Sequence, residues 1–142
     1  MSFVDDLKDS QEYENKVMRR LLKETWVVFE RNEDKKWVDL VNAFATVEVK
    51  YDRRVGKDSD NVFLEISCSG NESWIFAYDC DWLIIWWDED FVLIKLALLQ
   101  ELVIDWIVKG KYEVKKAGDG YRVRWLAVNY EELASYGKKI KL

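Results

Sequence analysis

The stretch ATVEVKYD (45–52) decides the fold, because its side chains alternate in character with a period of two. A strand of that period places Thr46, Glu48, Lys50 and Asp52 on one face and Val47, Val49 and Tyr51 on the other. Just upstream, KWVDLVN (36–42) is also β-prone, and a hairpin turning through Ala43 and Phe44 would bring Asp39 close to Glu48. Farther upstream, TWVVFE (25–30) and the polar break RNEDK (31–35) extend this pattern into an antiparallel meander of three strands. Ahead of it, Asp9 with Glu12 resembles a capping box. Tyr13, Val17, Met18, Leu21 and Leu22 then recur at helical spacing, predicting an amphipathic helix over 10–24.

Downstream, the polar loop RRVGKDSDN (53–61) leads into NVFLEIS (61–67), another predicted strand. SWIFAYD (73–79) reads as a short helix, and the apolar run DWLIIWW (81–87) as a buried strand. Residues 90–108 have the length and composition of a helix that is apolar nearly all round, closed by Gly110. KYEVKK and YRVRWLAV flank AGDG as a hairpin, and 130–136 reads as a short terminal helix. The expected architecture is one α/β (α+β) domain over residues 1–142, with a central mixed β-sheet flanked by helices.

Composition narrows the chemistry. The chain has 142 residues, 49% apolar and 35% charged, enough to build one core. It contains no His, and its two cysteines, Cys68 and Cys80, form no CxxC. Zinc sites of thiolate and imidazole, and Ser-His or Cys-His nucleophile pairs, therefore lack their parts. Hydrolysis in this chain would rest on carboxylates, lysine or a hard metal ion. No long uncharged apolar run and no signal-peptide pattern occurs, so a cytoplasmic protein without membrane insertion is expected.

A net charge of −5 opposes coating of nucleic acid by bulk electrostatics but leaves room for local basic surfaces. Candidates are Arg19, Arg20 and Lys23; Lys57; Lys115, Lys116, Arg122 and Arg124; and Lys138, Lys139 and Lys141. Eight Trp, seven Tyr and six Phe exceed ordinary use. Trp74, Phe76, Tyr78, Trp82, Trp86 and Trp87 could stack bases, although their Ile and Leu neighbours favour core or dimer contact.

The tripeptide Glu-x-Lys occurs four times, from Glu14, Glu33, Glu48 and Glu113, so by itself it selects nothing. Glu14 falls on a predicted helix and Glu33 in a polar break. Glu113 lies on a predicted strand, but its nearest upstream acid, Asp105, belongs to a predicted helix. The Glu48 pair alone has a carboxylate, Asp39, on the neighbouring strand. Asp39 and Glu48 could together hold one Mg²⁺, which takes one or two carboxylates and keeps several waters. Lys50 could orient the attacking water and neutralise charge developing in the transition state.

The order of helix with an internal acid (Glu14), strand pair with Asp39, ATVEVKYD, NVFLEIS followed by SG, an aromatic stretch and DWLIIW resembles the PD-(D/E)xK nuclease superfamily over roughly residues 10–90. The likeness is greatest to its small phage and Holliday-junction-resolvase-like members. It implies a restriction-endonuclease-like fold and Mg²⁺- or Mn²⁺-dependent hydrolysis of nucleic acid. Asp39, Glu48 and Lys50 match the motif, and Glu14 matches the acid often given by the first helix. Val38 stands where the pattern has Pro. The expected function is a metal-dependent nuclease on DNA, including branched DNA, acting as a homodimer. The main alternative is a non-catalytic binding or inhibitory module of viral origin with the same fold. A purely structural domain would follow if Asp39 and Glu48 stood more than about 8 Å apart. For Glu48 and Lys50 the plain alternative is a cross-strand ion pair on a solvated sheet face. Glu65 could join the site or face solvent.

Overall fold

A computed structural model describes residues 3–32, 38–51, 60–72, 75–77, 79–87, 90–117 and 123–142. The fold is α+β. A six-stranded mixed sheet contains β1 (Glu30–Arg31), β2 (Leu40–Val41), β3 (Thr46–Tyr51), β6 (Trp82–Trp87), β7 (Asp90–Lys95) and β10 (Lys138–Lys141) in that spatial order. A four-stranded sheet contains β5 (Asn71–Glu72), β4 (Asn61–Cys68), β9 (Val123–Asn129) and β8 (Val114–Ala117). The helices are α1 (Phe3–Thr25), α2 (Leu96–Val108) and α3 (Tyr130–Ser135). No helix among the described residues is long and apolar enough to cross a membrane.

The alternation read in 45–52 determines how the larger sheet is covered. Val47 is fully buried and packs with Ile84, Phe91 and Ile140 against Tyr13, Val17 and Leu21 of α1, while Val49 joins the same cluster from its edge. On the opposite face, Leu83, Ile85, Val92 and Ile94 pack with β4, β9, α2 and α3. One face of the mixed sheet thus carries a helix, and the other carries a second sheet with the remaining helices. NVFLEIS does form a strand, but in that second sheet, where β4 pairs with β5 and β9.

Strand β3 runs parallel to β6, with Val47 opposite Trp82 and Lys50 opposite Ile85. Asp81 ties their starts together: its carboxylate accepts from the Thr46 backbone N–H at 2.8 Å, and its own N–H donates to the Thr46 carbonyl at 3.0 Å.

Several sequence expectations require correction. Residues 90–95 are not helical: β7 pairs antiparallel with β6, Trp87 opposite Asp90, and α2 begins only at Leu96. Phe91 and Leu93 point into the α1 cluster while Val92 and Ile94 point into the other, so an alternation between two apolar surroundings reads as a uniformly apolar helix. TWVVFE contributes only Glu30 to a strand. Trp26 has a left-handed backbone (φ 61°) and is 87% exposed, so no sheet neighbour rewards the β-propensity of this stretch. The expected helix 10–24 runs from Phe3 to Thr25, so Asp9 lies inside it rather than capping it. In 73–79, residues 75–77 form a turn rather than a helix and Asp79 belongs to no helix either.

The ends of α2 and α3 agree with their signals. Gly110 (φ 69°) follows α2, and Lys111 N–H reaches back to the Trp106 carbonyl at 2.9 Å. Asn129 caps α3 by accepting from the Glu132 N–H at 3.1 Å. Gly137 then brings the chain against β7; a Cβ there would stand 2.6 Å from the Leu93 carbonyl oxygen.

Candidate metal-binding carboxylate site

Leu40 pairs with Val47 and Val41 with Thr46, and the Asp39 N–H donates to the Val47 carbonyl, so Asp39 enters β2 beside Glu48. The turn passes through Ala43 and Phe44, as the sequence predicted. It is held by Asn42, whose side-chain oxygen accepts from the Phe44 N–H at 2.8 Å and the Ala45 N–H at 2.7 Å. At Asp39 the ladder changes its acceptor. The Asp39 N–H still donates to the Val47 carbonyl at 2.8 Å, but its carbonyl turns away to accept from the Asn32 N–H at 2.9 Å. The next N–H of β3, from Val49, is taken by the Asp39 carboxylate at 2.7 Å. A side-chain oxygen thus replaces a backbone one, which fixes the Asp39 carboxylate to the strand carrying Glu48 and Lys50.

Glu48 is 5% exposed, which is uncommon for an ionisable residue. Its Oε1 lies 3.9 Å from Lys50 Nζ, and its Oε2 is buried with no hydrogen-bond donor among the described residues. The Asp39 carboxyl is within hydrogen-bonding reach of Glu48. Two ionised carboxylates can only accept, so this contact is satisfied by a shared proton or by a cation between them. Burial, then the Asp39 carboxyl, raises the Glu48 pKa from 4.5 to about 8, while Lys50 pulls it down and Glu14 adds to the rise. Burial lowers the pKa of Lys50, opposed by the charges of Glu48, Asp39 and Glu65.

Glu14 reaches this site from α1. It is 8% exposed, and its Oε2 accepts from Arg31 Nε at 3.1 Å. Arg31 also donates to the Gln11 carbonyl at 2.8 Å and to Asn15 Oδ1 at 3.0 Å, fixing the edge strand to the helix. Beside these contacts Tyr13 stacks on Trp86, ring centroids 3.5 Å apart. The structure therefore gathers all four residues singled out in the sequence, Glu14, Asp39, Glu48 and Lys50, into one electrostatic neighbourhood. Glu65, on β4 of the other sheet, acts on Lys50 through its charge. Arg31 was not anticipated; the polar break in which it lies gives no sign that it returns to α1. Cys80 borders the site, where burial pushes its thiol up to about 11, so it offers no ready thiolate.

Among the described residues, no three Asp, Glu, Cys or His side chains are grouped so as to hold a metal ion by themselves. A cation here would be held by the Asp39 and Glu48 pair, with water or phosphate completing its shell, as Mg²⁺ permits. The acceptor-only donor set and the unsatisfied buried Glu48 Oε2 fit a hard divalent cation. No protein family, curated protein or solved structure matches this chain. The case for function accordingly rests on these side chains.

Of the basic clusters, Arg20 and Lys139 are engaged internally. Arg20 donates to Glu24 and to the Lys141 carbonyl, both at 2.8 Å, and Lys139 bridges Asp90 and Glu131. Lys116 and Arg124 face each other across β8 and β9, both exposed. Lys57 and Arg122 lie outside the described residues. Of the aromatic stretch, Trp82 and Trp86 pack toward α1 and Phe76 toward the other cluster; Trp74 and Tyr78 are outside the described residues.

Proposed function

We propose that this protein is a divalent-metal-dependent nuclease that hydrolyses phosphodiester bonds of DNA, with Asp39 and Glu48 holding Mg²⁺ or Mn²⁺. The observation that carries this reading is the contact between the buried Glu48 and the half-buried Asp39, with Lys50 beside them and Glu48 Oε2 without a donor among the described residues. Such a contact is costly without a proton or cation, whereas a plain surface ion pair would leave both groups in water. Its residues also carry the likeness to the PD-(D/E)xK superfamily.

When bound, the metal would supply charge neutralisation at the scissile phosphate and a more acidic water. Asp39, held by the Val49 N–H, keeps one carboxylate oriented toward that position. Lys50, half-desolvated and fixed on β3 beside Glu48, donates hydrogen bonds to the attacking water or a phosphate oxygen and balances the negative charge of the transition state. Glu14, held by Arg31, adds its negative charge to the potential at Glu48, which favours cation entry. A cytoplasmic setting agrees with the free Cys68 and Cys80.

The test is nicking of linear, single-stranded and four-way-junction DNA in Mg²⁺ or Mn²⁺ by the wild type, Glu48→Ala and Lys50→Ala. Cleavage by the wild type and loss in both variants supports the reading; equal cleavage by all three removes it. A second reading, a non-catalytic binding module, draws support from the apolar surface around Trp26, Val28 and Phe44, which are 87%, 63% and 95% exposed. It predicts that none of the three cuts any substrate.

A further inference from the structure

At the end of β3 away from the acids, a cavity of about 670 Å³ opens between the last turns of α1, the β2–β3 turn, β7 and the start of β10. The buried Leu21 and Ile94 line it together with Phe29, Trp82 and Leu98. This size and apolar character are those of sites for small organic ligands. Phe44, 95% exposed, also lines it and belongs to its mouth.

The polar groups around it narrow the ligand. In a chain of net charge −5, no carboxylate among the described residues lines this cavity, and the charged lining groups among them are Lys95 and Lys138, both exposed. Lys95 Nζ stands 5.6 Å from the centroid of the Trp82 ring, which places an ammonium where the apolar wall meets solvent. Of the neutral polar groups, the Thr25 hydroxyl and the Asn42 amide are committed elsewhere, while the Tyr136 phenol lies at the lining. Thr25 Oγ1 donates to the Leu21 carbonyl at 2.6 Å, and Asn42 accepts from its own turn while donating to the Val28 carbonyl at 3.3 Å. Beside the Tyr136 ring, what the mouth offers a ligand is positive charge.

We propose that this cavity binds an alkyl carboxylate, its chain against Leu21, Phe29, Trp82 and Leu98 and its carboxylate at Lys95 and Lys138. Both halves of the ligand are needed. The apolar wall supplies affinity through area removed from water, and the two ammonium groups select an anion over an alcohol or amine of equal length. The site is separate from the carboxylate pair and does not depend on the nuclease reading.

Calorimetric titration of the full chain with decanoate, decanol and decylamine tests this. Decanoate is expected to bind one to one, with decanol and decylamine about tenfold weaker or more. Combining Lys95→Glu with Lys138→Glu, both at exposed positions, should reverse the order of decanoate and decylamine. Leu98→Trp or Ala45→Phe should fill the cavity and abolish binding, with circular dichroism reporting that each variant folds. Glu48→Gln should leave decanoate binding unchanged. Equal binding of the three ligands, or an unchanged order after charge reversal, overturns the proposal. So does the finding that decanoate fails to bind while the chain sediments as a dimer that Phe44→Ser dissociates, since a second copy would then fill the cavity.

Discussion

Glu48 with Lys50 and Glu113 with Lys115 are the same tripeptide pattern at two strands of one chain, the second pair straddling the start of its strand, yet they lie in opposite environments. The first pair is inside the six-stranded sheet, with Glu48 buried, an acid beside it from the residue that precedes β2 and the charge of a glutamate acting on it from α1. Glu113 immediately precedes the edge strand β8, and it and Lys115 are exposed, with no second acid called for by register. Spacing within a motif thus carries little chemistry. The position of the strand in its sheet, and what the neighbouring strand presents opposite, turn a surface pair into a site.

The largest expected effect is on cleavage. Lys50→Ala should slow hydrolysis about 10²–10³-fold, and Glu48→Ala at least as much, whereas Glu113→Ala and Lys115→Ala should cut like wild type in the same nicking assay. A comparable loss at both pairs would mean that the comparison separates nothing.

Next comes the dependence of stability on pH without metal. The folded-state pKa of Glu48 is raised from 4.5 to about 8, so between those values the folded chain holds a proton that the unfolded chain has released. Stability contributed by this group is present below pH 4.5 and is lost as pH rises to about 8. Thermal melts should therefore fall across this window in wild type and flatten in Glu48→Gln, while Glu113→Gln keeps the wild-type slope. Adding Mg²⁺ at the alkaline end should restore about 1.4 kcal/mol in wild type when the metal is tenfold above its dissociation constant, and nothing in Glu48→Gln. A wild-type melting curve indifferent to both pH and metal would argue that the two carboxyls are not in contact.

Arg31→Ala should cost about 1–2 kcal/mol in urea unfolding, since it removes charged hydrogen bonds to Glu14 and α1. It should also weaken cleavage by about tenfold through the displaced Glu14. The smallest effect belongs to the exposed pair: Glu113→Gln and Lys115→Gln should each change stability by less than about 0.5 kcal/mol.

How far the sequence could be read follows from the same contrast. Period two and a short turn made the Asp39–Glu48 encounter legible, because both depend on residues within one hairpin. The helix α1, β6, the β8–β9 pairing and α3 were legible for similar local reasons. Strand β7 was not, since its two faces enter two apolar clusters and its pattern loses the polar half of the alternation. Strand β10 offers only Ile140 as an apolar residue among lysines, and its pairing with β7 is a tertiary matter. In TWVVFE the β-propensity is real, but residues 26–29 have no strand partner and the chain turns at Trp26. The charge of Glu65 at Lys50 arises across two sheets, which no spacing along the chain encodes.

The hydrogen bond from the Val49 N–H to the Asp39 carboxylate spans ten residues, and the two acids it brings together are nine residues apart. Their repulsion is therefore met as soon as the hairpin zips, before distant parts of the chain have docked. Electrostatic frustration placed so early acts on the speed of folding as well as on its end state. Stopped-flow refolding should accelerate at acid pH or with Mg²⁺, with unfolding rates changing less; the reverse pattern would mean that the hairpin closes late. A chain of this kind would be slowest to mature where divalent cations are scarce.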